Sequence, residues 1–110
     1  MTEERIEKIK SAVEAADHIA PEKKAELLAV LAKLKPAIAN VAQTHEEEAE
    51  SISRFVEASA HEAARAEKRP EHLDKITDEL RRSVEKFEAS HPQLTAFVTE
   101  YSAVLSALGV

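Results

Sequence analysis

The sequence contains no cysteine and no tryptophan, one glycine, and only three phenylalanines and one tyrosine among 110 residues. Without cysteine there is neither a disulfide framework nor a Cys-based zinc site. One glycine is too few for a succession of tight hairpins, and for a Rossmann fingerprint or a P-loop. No apolar run approaches the roughly 20 residues needed to cross a bilayer. Basic excess is missing as well. Fifteen Lys and Arg face 21 Asp and Glu, a formal charge of −6, which disfavours non-specific binding to phosphates. Met1-Thr2-Glu3-Glu4-Arg5 lacks the basic head and apolar stretch of a secretory signal, so the cytoplasm is the expected compartment.

What is abundant points one way. Ala, Glu, Lys, Leu and Arg fill 62 of the 110 positions, the composition of long helices and coiled coils. The expected class is all-α, with four or five helices packed as a bundle or in coiled-coil fashion. Thr2, Glu3 and Glu4 make a capped, acidic helix start, and Ile6, Ile9 and Val13 mark one apolar face. Asp17 to Ala20 interrupts that face, and Pro21 suits the first turn of a second helix. Leu27, Leu31, Leu34, Ile38 and Val41 repeat at spacings of four and three, with Leu28 alongside. Helices over 2–17 and 21–34 are thus expected to form an N-terminal hairpin, within a segment ending near 43. Pro36 lies inside the stripe, where it predicts a kink near Leu34 or a fresh helix start.

Extending the stripe past Val41 reaches His45, Glu48, Ile52, Phe55, Ser59 and Glu62. Two polar positions occupy the seam before Ile52 and Phe55 resume it. Thr44 and Glu47 have capping-box spacing, and Glu46 and Glu48 suit a new helix start. The lack of Gly or Pro between Pro36 and Pro70 nevertheless favours one continuous helix over 36–68. Over residues 44–69 only Ile52, Phe55 and Val56 are large and apolar. So little bulk predicts that this Ala/Glu-rich piece needs a partner: Ile52, Phe55, Val56, Ala60 and Ala63 are the expected interface of a homo-oligomer, most simply a dimer.

Arg69-Pro70-Glu71 breaks the chain again. Leu73, Ile76, Leu80, Val84 and Phe87 then define a helix over 72–89, and Leu94, Phe97, Val98, Tyr101, Leu105 and Leu108 another over 92–108. Together they make a second αα-hairpin within 70–110. Ser90 and Gln93 stand at capping-box spacing, Pro92 fits the first turn, and Gly109 supplies a stop. The whole is read as one helical domain.

Leu80-Arg81-Arg82-Ser83-Val84-Glu85-Lys86-Phe87-Glu88-Ala89-Ser90-His91-Pro92-Gln93-Leu94, with Leu105-Ser106-Ala107-Leu108-Gly109-Val110, resembles a family of short bacterial proteins of unknown function. Its members show a Phe-Glu-x-x-His-Pro-x-Leu turn between two helices and end in Leu-x-x-Leu-Gly followed by Ile or Val. The resemblance implies a small helical bacterial protein, with no activity and no site attached. It draws attention to the corner formed by Phe87, Glu88, Ser90, His91, Pro92 and Leu94. Architecture is the expected role there: Phe87 and Leu94 pack across the turn, Pro92 fixes it, and His91 bonds a free helix end. Glu88 and His91 as metal ligands would be one E-x-x-H pair where di-iron bundles use two.

Other constellations are sparse. His45, Glu48, Glu57 and His61 are the metal-ligand candidates, and Glu14 with His18 repeats the four-residue spacing, but zinc or iron needs three or four convergent ligands. His45 and Glu48 are also candidates for a buried, register-setting polar pair. The acids of Glu46–Glu50 and the basic residues of Arg65–Arg69 and Arg81-Arg82 read as solvated helix faces. Ser90 beside His91 lacks the elbow and oxyanion arrangement of a serine nucleophile. The expected function is non-enzymatic, structural or regulatory, exerted through protein contacts and self-association, without cofactor, nucleic acid or membrane span. A His/Glu metal-binding bundle is the alternative, and an amphipathic lipid-surface binder a further one.

Overall fold

The computed structural model describes residues 2–17, 19–65 and 69–109. The expected Thr2 cap, the Glu14–His18 pair and the Lys68 part of the basic run rest on side chains outside the described ones. Five α-helices follow in order: α1 (Thr2–Ala15), α2 (Pro21–Ala42), α3 (Glu46–Ala63), α4 (Pro70–Val84) and α5 (Pro92–Gly109), with a 3-10 turn at Glu85–Phe87 between the last two. The chain is all-α, packed as a helical bundle.

Short connections make successive helices antiparallel neighbours. α2 packs on α3, α3 on α4, α4 on α5, and α5 returns to α2, closing a four-helix ring. α1 lies outside this ring, against α2 and α3. The apolar stripes read from the sequence face inward: Leu27, Leu31, Leu34, Ile38 and Val41 on α2, and Leu94, Val98, Tyr101, Leu105 and Leu108 on α5, all share one core. α1 adds Ile6, Ile9 and Val13 to it. Ion pairs clamp α1 in place, with Arg5 bridging Glu50 at 2.9 Å and Glu57 at 2.8 Å on α3, and Glu7 meeting Lys35 of α2 at 3.3 Å. The Cα radius of gyration is 12.9 Å, close to the ~13 Å of a compact chain this long.

The middle of the chain departs most from expectation. The continuous helix over 36–68 is corrected: α2 ends at Ala42 and α3 starts at Glu46. The last turn tightens through Thr44 N to Val41 O, and His45 then leaves helical geometry at φ −138°, ψ 65°. No glycine or proline is needed, because no residue there takes a positive φ. Folding back sets Ala49, Ile52, Val56, Ala60 and Ala63 against the chain's own helices, whereas a straight helix would leave them in water. Three glutamates, Glu46 to Glu48, then occupy the first turn, where the helix dipole favours them.

Pro36 starts no new helix. α2 runs through it, because Pro36 and Ala32 one turn back are both exposed, so the carbonyl deprived of its donor faces water. The helix expected over 72–89 starts two residues earlier and gives way to the 3-10 turn after Val84.

The interface assigned to Ile52, Val56, Ala60 and Ala63 is corrected likewise. None is more than 3 % exposed, and Phe55 is half-buried against the same core. α3 is the most enclosed helix of the ring, covered by α1, α2 and α4. Its two polar seam residues are buried with partners. The Tyr101 hydroxyl donates to Val56 O at 2.9 Å, with Ser59 Oγ 2.8 Å from it. Glu62 is gripped by the Arg69 fork at 2.9 and 3.0 Å, with Arg65 and His72 nearby. Hydrogen bonding from Arg69 holds the Glu62 carboxyl below the ordinary carboxylate range, outweighing its desolvation.

Candidate functional site

One end of the ring gathers the α2–α3 loop and the turn before α5. The Phe87 side chain is buried there, and the rings of His45 and His91 stand edge-on to it at 5.3 and 5.7 Å. Each histidine is tied to the hydroxyl preceding it in the chain: Thr44 Oγ1 lies 2.8 Å from His45 Nδ1, and Ser90 Oγ 3.0 Å from His91 Nδ1. Lys86 Nζ lies 5.7 Å from the Phe87 centroid and 3.7 Å from Glu48. Aromatic and cation–π contacts of this kind are worth about 0.5–1.5 kcal/mol each. The residues read separately as a polar pair on a seam and as a helix corner thus meet around one phenylalanine.

Backbone hydrogen bonds close the corner. His91 N donates to Phe87 O at 2.6 Å and Leu94 N to His91 O at 3.1 Å, closing the turn into α5. Pro92 opens that helix, and Leu94 is buried in the core with Phe87. The His91 ring is held by Ser90, and the bonds to Phe87 O and from Leu94 N run through its backbone. The hydroxyls of Thr44 and Ser90 orient histidines where capping boxes were expected. His45 and Glu88 are exposed and Glu48 is half-buried, so His45 and Glu48 do not form a buried polar layer.

The four metal-ligand candidates are not brought together. His45 and Glu48 lie at this end, whereas Glu57 is nine residues further along α3, about 13 Å by helical rise, and its carboxylate is paired to Arg5. His61 is one turn beyond and shares with Glu57 a small crevice between α1 and α3 lined by Lys8, Ile9, Val13 and Ala60, which makes two candidate ligands there and no more. No group of three or more His, Asp or Glu among the described residues is placed to share a metal ion. The basic runs are partly neutralised, Arg65 and Arg69 by Glu62, and Arg81 and Arg82 both by Asp78. No helix among the described residues is long and apolar enough to cross a membrane.

A surface that the sequence reading passed over lies on α5. In this 18-residue helix Glu100 is the one charged side chain, and it is paired to Lys33 of α2 at 2.9 Å. Facing away from the core are Ala96, Thr99, Ala103, Ser106 and Ala107, all exposed and all small. Their spacing of three and four was visible in the sequence, but the Leu and Val stripe on the opposite face masked it.

No curated protein and no solved structure matches the chain. A family model, described as a domain of unknown function (DUF4404), matches residues 31–110. The match takes in the second half of α2 and all of α3, α4 and α5, leaving α1 outside, and the chain belongs to that family.

Proposed function

We propose that the chain is a non-catalytic structural or regulatory protein that acts through protein contacts made by the outer face of α5. The observation that carries this reading is the composition of that face. A third of the chain is charged, yet α5 presents a row of small uncharged side chains, and its single carboxylate is already neutralised. Centres of protein interfaces are depleted in charge, and although Ala and Ser are scarce there too, small residues where two helices cross let a second backbone approach closely. The His45–Phe87–His91 corner supports the reading from the other side: both imidazoles pack on the Phe87 ring, and each Nδ1 is engaged by the hydroxyl beside it in the chain.

A photo-cross-linker placed at Ala103 in cells that express the protein tests this. Protein adducts are expected from position 103 and not from Ser11, which is exposed on α1. Equal labelling from both positions, or none from 103, overturns the reading.

A further inference from the structure

The α5 face adjoins a groove of about 600 Å3 between α4 and α5, lined by Thr99, Ser102, Ala103 and Ser106 on one wall and by Glu71, Asp74, Asp78 and Arg81 on the other. Ser102 lies in that wall only 8 % exposed, and its Oγ finds no hydrogen-bond partner among the described residues. A buried hydroxyl left unpaired costs about 1–3 kcal/mol, which a group arriving from outside relieves. Resting on the reading of α5 as a contact face, we infer that its occupant is the α5 of a second copy of this chain, packed antiparallel across a two-fold axis.

Spacing and charge select this occupant. Ala96, Thr99, Ala103 and Ser106 follow one another at three, four and three, the period of a coiled-coil seam. An antiparallel pair centred near residue 101 sets Ala96 opposite Ser106 of the partner copy and Thr99 opposite its Ala103. Because α4 and α5 are antiparallel, the start of α4, with Glu71 and Asp74, lies beside the end of α5. The end of α4, with Arg81 and Arg82, lies beside its start. Antiparallel pairing therefore brings the end of α4, where Asp78 pairs both arginines and leaves one positive charge over, to the start of the other copy's α4, where Lys75 beside Glu71 and Asp74 leaves one negative charge over. Parallel pairing, with its two-fold axis along the helices, would put the two α4 helices on opposite sides of the pair, where these charges do not meet. The same patch meets itself, as a closed two-fold dimer requires.

Sedimentation equilibrium of the full chain, alone and as A103E, tests the inference. The wild-type chain forms a reversible dimer. A103E, with a carboxylate forced into the seam, dissociates about a hundredfold more readily, while its thermal midpoint in dilute solution stays that of the wild type. Mixed A96C and S106C chains form a disulfide on oxidation, whereas A96C alone does not, its two copies lying about 15 Å apart along the axis. A wild-type chain that stays monomeric at near-millimolar concentration overturns the inference, as does a dimer indifferent to A103E or one cross-linked by A96C alone. If the chain is monomeric while Ala103 captures some other protein in cells, the second copy is refuted and the contact face stands. If neither occurs, both fall.

Discussion

Tyr101→Ala lowers the unfolding free energy by about 3–5 kcal/mol, the range for removing a large buried aromatic. Tyr101 is fully buried at the middle of α5, where it joins α5 to α3 through Val56 O and Ser59. The variant loses the ring's packing and leaves Ser59, itself buried, without its hydroxyl neighbour. For a domain of this size the midpoint of thermal unfolding falls by about 4 °C per kcal/mol, so a drop of at least 12 °C is expected. Tyr101→Phe keeps the packing and costs about 1–2 kcal/mol. The two variants separate further at high pH. Burial pushes the Tyr101 hydroxyl above its ordinary value of 10.0, so above about pH 10 the unfolded chain releases this proton while the folded chain retains it. Stability present below pH 10 is therefore lost as pH rises, and Tyr101→Phe flattens that loss. Thermal unfolding of the three chains between pH 7 and 11 measures both effects.

Ile52→Ala costs about 2–5 kcal/mol, and the loss is independent of protein concentration. Ile52 is fully buried under the chain's own helices, so truncating it opens a cavity inside one molecule. Were Ile52 instead the centre of a dimer seam, the variant would dissociate a dimer and its effect would fade on dilution. Chemical denaturation at several protein concentrations distinguishes the two: a parallel displacement of wild type and variant supports the internal position.

These contrasts show where sequence is a sufficient guide and where it fails. The Leu27–Val41 and Leu94–Leu108 stripes identified the inner faces of α2 and α5 because bulky apolar residues at a helical period have one energetically sound place to go. The middle of the chain was misjudged because the stripe passes through His45 and Glu48 without changing phase, and phase alone cannot distinguish a helix that continues from one that folds back. His45 turns the chain with an ordinary negative φ, leaving no glycine or proline as a marker. Poverty in bulk also misled. A helix of alanines looks unable to hold itself, but Ala49, Ala60 and Ala63 are what allow α3 to be enclosed by α1, α2 and α4. Ser59 and Glu62 fell on the seam in the sequence and are buried on it in the structure, each with a partner that lies at a distance no local pattern reveals: Tyr101 for the serine, and Arg69, across the α3–α4 connection, for the glutamate. The corner at Phe87 was legible as a motif. That His45 would stand on the other side of Phe87 depended on the fold-back at Thr44. The α5 outer face went unread because small uncharged residues give no signal until the opposite face is known to be occupied.

The central division in the molecule is that α3 is the enclosed helix and α5 carries the open face. Amide hydrogen exchange followed from micromolar to near-millimolar protein tests it most directly. Protection of α3 from Ala49 to Ala63 is expected to be high and unchanged throughout, while amides of α5 between Ala96 and Ser106 gain protection as concentration rises. The opposite pattern, with α3 amides exchanging freely in dilute solution and closing only on association, would return the interface to α3 and contradict the account.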